Sequence, residues 1–333
     1  MEPEIIMISR RTFLSGIALT GLSVGVLHRP FIARAAEPLV LWGPPAAPSI
    51  ILAQAVASGL LRELGPDVSF RTWKSPDELR AGISSGSYHA TVVPTYVAAN
   101  FYNRGLGVRL LNVLTNGLLY VVAPAGTVSD MASLKGRKVA VPLRNDMPDF
   151  IFRRLLASAN VAASEIQIEY TGSPSEAMQF LMAGRVDAAF LTEPASTAAI
   201  LRASMMGKTL ERAISAQAVW KSVTGSSIIP QAGLAVSNKL SADLGEKGLE
   251  ALQASLETAL AQVLKDPAAA AAAAASTLEL PAPVIERSIP YSNLVAARAS
   301  SEKKELFTLF EALAQEDPRI IGGKVPDDGF FAL

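Results

Sequence analysis

Cysteine is absent from this chain, and histidine occurs only twice, at His28 and His89. The first absence excludes disulfides, thiolate metal sites, a cysteine nucleophile and a lipidated N-terminal cysteine. The second leaves too few ligands for a zinc site of the His or Cys type. A Ser-His-Asp arrangement would have to use His89, and no G-x-S-x-G elbow is present. Neither G-x-x-x-x-G-K-[ST] nor G-x-G-x-x-G occurs, so no phosphate cradle is written into the sequence. Acid–base work by carboxylates stays open. Charge of either sign is also scarce. Charged residues make up 18% of the chain and the formal net charge is zero, with no basic stripe suited to nucleic acid or an anionic membrane face. No catalytic residue, metal or cofactor is expected.

What is present is a globular composition, 50% apolar over 333 residues, long enough for two cores. The first 35 residues read as an export signal. Arg10-Arg11 precedes an uncharged stretch from Thr12 to Leu27, followed by Ala33-Arg34-Ala35, an A-x-A cleavage pattern. The stretch is short of the ~20 residues of an ordinary spanning helix. Ser9-Arg10-Arg11-Thr12-Phe13-Leu14 resembles the twin-arginine signature; the alternative is an uncleaved membrane anchor. Beyond it, 26 basic and 28 acidic residues remain. A bacterial periplasmic protein is expected.

One phrase occurs twice. "SPDELRAGISSGSYHATV" starts at Ser75 and "SPSEAMQFLMAGRVDAAF" at Ser173. In each copy Ser reads as a helix N-cap, Pro as N1, and Glu78 or Glu176 as the N3 member of a capping box. Gly86 and Gly184 fall where a helix needs a left-handed C′ residue. Strands are expected on both sides, at 67–74 and 166–172 before the phrase and in "SYHATVV" and "RVDAAFL" after its Gly. Further upstream, 38–45 and 137–144 each read as a strand and loop before a helix, Ser49 to about Leu64 and Asp146 to about Asn160. A β-α-β-α-β unit therefore occurs twice, predicting a duplicated α/β lobe with a mostly parallel sheet flanked by helices.

The stretches 108–115 and 118–124 read as strands closing the first lobe, and 227–237 as a return crossing. Lobe one is thus expected at 36–123 and 229–333, lobe two at 124–228, with a hinge between them. The C-terminal part reads as helical, over Ser241–Lys265, an Ala run capped by Asp266-Pro267, and about Glu302–Ala314.

In open α/β sheets the site lies beyond the carboxyl ends of the strands. In lobe one that selects Gly43, Pro44 and Ser49, then Trp73, then Thr95 and Tyr96, then Thr115 and Asn116. In lobe two it selects Arg144, Asn145 and Asp146, then Glu193. Helix starts there offer unpaired N–H groups and partial positive charge. Each residue has a plainer alternative. Ser49 also reads as a simple N-cap, Trp73 as a core filler and Glu193 as a helix-capping carboxylate. Arg144 suits bidentate contact with a planar acceptor, or an ion pair with Asp146 or Glu193.

"AGRVDAAFLTEPAS" (183–196), "ASLKGRKVAVP" (132–142) and the N-terminal signal resemble the nitrate/sulfonate/taurine branch of periplasmic solute-binding proteins of ABC importers, which includes thiamine-pyrimidine binders. The resemblance covers nearly the whole mature chain. It implies a type II two-lobed fold, a monomer, a small polar ligand or anion held in the cleft, and delivery to a membrane permease with its ATPase. That branch often carries small hydroxyl residues after the first strand of lobe two, where this chain has Arg144-Asn145-Asp146-Met147-Pro148. The departure implies a larger ligand with donors and acceptors rather than bare sulfonate or nitrate. Two alternatives share the fold, a pyrimidine-synthesising enzyme dependent on His and Cys, and an effector sensor.

Overall fold

The computed structural model describes residues 38–333; the expected export signal lies outside the described residues. The first repeat unit runs β1 (Leu39–Gly43), α1 (Ser49–Ala57), β2 (Val68–Thr72), α2 (Pro76–Ser84), β3 (Ala90–Pro94) and α3 (Thr95–Asn103). The second runs β7 (Lys138–Pro142), α4 (Met147–Ser158), β8 (Gln167–Thr171), α5 (Pro174–Met182), β9 (Ala188–Thr192) and α6 (Ala195–Met205). In both, the first strand pairs in parallel with the other two, giving the orders β2-β1-β3 and β8-β7-β9.

The duplicated phrase folds the same way twice. The Ser75 and Ser173 hydroxyls accept from the backbone N–H of Glu78 and Glu176, each at 3.1 Å. The two Glu carboxylates reach one residue further back than a standard capping box, accepting from Lys74 N and Gly172 N at 2.7 Å. Both helices end in the 6→1 and 5→2 pattern of a left-handed glycine stop. Gly86 N bonds Ile83 O and Ser87 N bonds Gly82 O, while Gly184 N bonds Leu181 O and Arg185 N bonds Phe180 O. Helix α1 stops short of Leu64 by the same device. Gly59 has φ 67°, its N–H bonds Val56 O and Leu60 N bonds Ala55 O.

Antiparallel strands extend both parallel cores, so the sheets are more mixed than the repeat alone implies. Strands β4 (Val108–Leu110), β5 (Asn112–Thr115), β11 (Ala232–Ser237) and β12 (Leu294–Arg298) join the first sheet, whose order is β12-β5-β11-β3-β1-β2 with β4 also on β11. Strands β6 (Leu119–Pro124) and β10 (Leu210–Ser215) join the second, in the order β10-β6-β9-β7-β8. The stretch 118–124, expected in the first lobe, therefore belongs to the second. It pairs antiparallel with β9 and β10, and its uninterrupted apolar character marks a buried strand without naming its partners. The chain crosses at Asn116–Leu118 and returns after α7 (Ala216–Thr224).

Helix α8 (Asn238–Lys265) starts at Ser237, kinks at Gly245, and leads into the alanine-rich α9 (Pro267–Leu278) capped by Asp266. With α10 (Ala282–Ser288) and α1 they cover one face of the first sheet. Ala270, Ala271 and Ala274 are buried there. Helix α11 (Lys303–Glu316) and a short turn at Pro318–Ile321 lie on the other face with α3. That face and the inner face of the second sheet share one apolar core, containing Tyr96, Phe101 and Phe310 from lobe one and Phe150, Phe152 and Phe190 from lobe two. Each fully buried large side chain contributes about 1.5–3 kcal/mol, so the lobes meet through a packed surface. Among the described residues, no helix is long and apolar enough to cross a membrane.

Candidate functional site

The helix starts after β3 and β7, at Tyr96 and Asp146, meet across the two lobes. In lobe one, Gly43 ends β1 with no room for a side chain; a Cβ there would sit 2.5 Å from Ser49 Oγ. Ser49 is fully buried and donates to Pro44 O at 2.6 Å. Pro48 is the N-cap residue and Ser49 the first helical one, so the hydroxyl pins the Pro44–Pro48 loop instead of capping α1. The Trp73 indole N–H donates to Val92 O at 3.3 Å, and the ring packs in the shared core. Thr95 is fully buried and donates to Pro230 O at 2.7 Å.

Tyr96 is different, because its partner is in the other lobe. Its hydroxyl donates to Asp146 Oδ1 at 2.6 Å, and its ring meets Phe150 edge-on with centroids 5.6 Å apart. Asp146 is the N-cap of α4 and also accepts from Met147 N at 2.7 Å. Arg80 on α2, again from lobe one, lies 3.9 Å from Asp146 Oδ2. Burial raises the Asp146 pKa above the ordinary carboxylate value, against the pull of Tyr96, Met147 N–H and Arg80. Burial, followed by the Asp146 charge, holds the Tyr96 phenol well above its usual value.

The loop before α4 is strained. Leu143 and Asn145 have φ of 57° and 60°, the left-handed region that costs a non-glycine residue about 1–2 kcal/mol. Asn145 N–H donates to Asp149 Oδ2 at 2.8 Å. Arg144 is exposed and stacks over the Tyr170 ring at 5.0 Å. The expected Arg144–Asp146 or Arg144–Glu193 ion pair is not what the side chains form. Glu193, fully buried, instead binds Arg212 at 2.6 Å and accepts from Thr197 Oγ1 at 2.7 Å and Thr197 N at 3.2 Å. Burial raises its pKa while Arg212 opposes the shift. Arg212 in turn lies 3.6 Å over the ring of Tyr291, a lobe-one residue.

At the crossing, Thr115 donates to Ser292 O at 2.7 Å. Asn116 N bonds Asn293 O at 3.0 Å, and Ile229 N bonds Asn116 O at 3.2 Å. The Asn116 side-chain oxygen is buried with no hydrogen-bond partner. Gln217 and Asn293 side chains both donate to Gly117 O. Thr115 and Asn116 therefore lie at the hinge.

A cavity of about 730 Å³ opens along the seam beside Tyr96 and Asn145, walled by Arg80, Arg104, Arg153 and Glu316 among others. Arg153 on α4 bridges Asp149 in its own lobe and Glu316 in the other, both at 3.2 Å. Sequence reading missed Arg80, Arg153, Arg212, Tyr291 and Glu316, because nothing local distinguishes them from solvated charges or a surface ring. Asp149 had a weak signal, three residues after Asp146 in the same first helical turn.

Two duplicated α/β lobes, linked by two chain crossings and meeting at helix starts from both, define a two-lobed binding protein. The chain matches the model of the ABC transporter phosphonate periplasmic substrate-binding proteins over residues 50–280. It belongs to that family, and is a periplasmic substrate-binding component of an ABC transporter. Comparison with curated proteins gives no match. Among solved structures, it resembles an ABC transporter protein from Parabacteroides distasonis at 21% identity and TM-score 0.73, covering 88% of this chain and 98% of that one. It also resembles the periplasmic aliphatic sulphonate-binding protein of Escherichia coli, at 16% identity and TM-score 0.66, covering 86% and 96%. A mutant of DszB in complex with biphenyl-2-sulfinic acid shares the fold at 14% identity and TM-score 0.61, covering 89% and 96%.

Proposed function

We propose that this chain is a non-enzymatic, monomeric capture subunit that holds a small polar organic molecule or anion between its lobes and hands it to an inner-membrane permease. The observation that carries this reading is the pair of like α/β units, each with its own sheet and joined by two crossings, with helix starts from both at one seam. The capture surface lies along the seam at Tyr96 on one side and Arg144–Asp146 on the other; Ser49, Trp73, Thr95 and Glu193, each buried and bonded, shape it from behind. Arg144 supplies the cation for an acidic ligand group, since its guanidinium is exposed and only stacked on Tyr170. Opening to admit a ligand turns the lobes about the crossings near Asn116–Leu118 and Gly225–Gln231 and parts the core they share.

Catalysis has less support. His89 sits at the start of β3, at the end remote from the cleft, where its Nδ1 lies 3.0 Å from Ser237 Oγ. No cysteine is available anywhere in the chain.

Calorimetry against methylphosphonate, taurine, nitrate, pyrimidines and amino acids tests the reading. One of these classes is expected to bind wild type and to lose at least tenfold affinity in Arg144→Ala, equivalent to about 1.4 kcal/mol. Turnover of a bound compound by the purified protein would contradict it.

A further inference from the structure

Near the hinge the lobes are tied where Tyr120 Oη donates to Tyr291 O at 2.8 Å and Arg212 lies over the Tyr291 ring; along the α3–α4 side of the seam two further polar points join them. At one, Tyr96 at the start of α3 donates to Asp146 at the start of α4, with Arg80 from α2 3.9 Å from the same carboxylate. At the other, Arg153 of α4 meets Glu316 at the end of α11 at 3.2 Å. Helices α2, α3 and α11 belong to the first lobe and α4 to the second, so each contact is broken when the lobes part. Tyr96 and Phe150 touch between the two points.

The chemistry of the first point is asymmetric. With the lobes together, Asp146 is 8% exposed. Its Oδ1 already serves its own helix through Met147 N. The Tyr96 hydroxyl is the strong donor that the opposite lobe brings to that carboxylate. Burying a carboxylate without such a donor costs far more than the hydrogen bond itself yields. Tyr96 therefore does more than add one contact, because it makes burial of Asp146 tolerable and so permits the lobes to meet. Arg153 acts likewise at the second point. It is held by Asp149, which also accepts from Tyr170 Oη at 3.0 Å and from Asn145 N, so the guanidinium is positioned before Glu316 arrives.

We infer that Tyr96–Asp146 and Arg153–Glu316 form a latch that holds the two lobes closed without a ligand. This inference rests on the two-lobed capture reading and goes beyond it, since the latch sets how much of the protein is already closed when a ligand arrives. A ligand that binds only the closed form sees an affinity reduced by the fraction of molecules in that form. A ligand that enters only the open form must first wait for the latch to break.

The absence of native cysteine permits a direct test. Spin labels are placed at Glu63→Cys in lobe one and Ser175→Cys in lobe two, both exposed and outside the latch. Inter-label distances are then measured in protein stripped of small molecules by mild guanidinium treatment and dialysis. The parent pair is expected to show mainly one distance, the shorter of the two that the closed and open arrangements give. Tyr96→Phe is expected to lower the closed-to-open ratio about tenfold, and Glu316→Gln by a smaller factor of about two to five. Because Glu316 lies at the end of a surface helix, its variant reports even if Tyr96→Phe folds poorly. Identical distance distributions in the parent and the folded variants would overturn the latch, as would a parent that is mainly open. Neither result would touch the capture reading, which calorimetry tests separately.

Discussion

Fully buried Glu193 is enclosed by Arg212, the Thr197 hydroxyl and the Thr197 N–H. Its charge is thus paired inside lobe two, and the guanidinium that pairs it is covered by the Tyr291 ring of lobe one. Removing the cation strands the carboxylate. Arg212→Met is expected to lower unfolding stability by about 3–5 kcal/mol, the cost of an uncompensated buried charge. Glu193→Gln should cost less, because Arg212 keeps its stacking on Tyr291 and some access to water. Chemical denaturation of both variants measures the order, and a larger loss in Glu193→Gln would contradict this account. The "EP" dipeptide was visible in the sequence, and capping by its carboxylate was one of the readings it allowed. The Arg212 partner was not, since it comes from another strand and the intervening residues carry no matching pattern.

Among the elements, the repeated helix caps were the most legible feature, since every group involved lies within a few residues. Ser75→Ala and Ser173→Ala should each cost about 1 kcal/mol, with the two losses adding when combined because the sites are in different lobes. Thermal melts of the three variants test both points; a double variant markedly worse than additive would mean that the lobes do not unfold independently at these helices. The partners of β6 were illegible by contrast, because an apolar run says that a strand is buried and not which sheet buries it. For Ser49, selected as a site residue with a simple N-cap as the alternative, the cap does not form, since Pro48 takes the cap position and the Pro44 carbonyl takes the hydroxyl. The α4 start carries a pH dependence whose sign is set by burial. Asp146 faces Tyr96 and Arg80 from lobe one and its own Met147 N–H, with Asp149, Arg153 and Glu316 next along the seam. Its pKa is raised in the closed arrangement and should return toward about 3.9 when the lobes part. An acid with the higher pKa in the closed state takes up a proton on closing, so closure is favoured as pH falls and opposed by the ionised form above that range. Spin-label distances followed as the pH is lowered from neutral should show the closed fraction rising, and Asp146→Asn should flatten the response. A closed fraction that falls with acidification would reverse the assignment.

For the whole molecule, export precedes every other step. Replacing Arg10 and Arg11 with Lys should leave the precursor in the cytoplasm, scored by cell fractionation; unchanged periplasmic delivery would exclude the twin-arginine route. Once exported, the chain works as two bodies of the same design facing one another, and that duplication has a geometric consequence. Two copies of one backbone unit, turned toward a common seam, offer a guest nearly the same scaffold from either side. Orientation must then come from the side chains by which the copies differ. At matching strand ends one copy has Thr95, neutral and tied to Pro230 O, and the other has Glu193, charged and tied to Arg212. Ahead of the first helix, one copy has the rigid Pro44–Pro48 turn and the other the Arg144-Asn145-Asp146 loop with its two left-handed residues. A guest held at the seam is thus expected to meet two unlike walls, and a molecule with distinct ends to lie one way round between them.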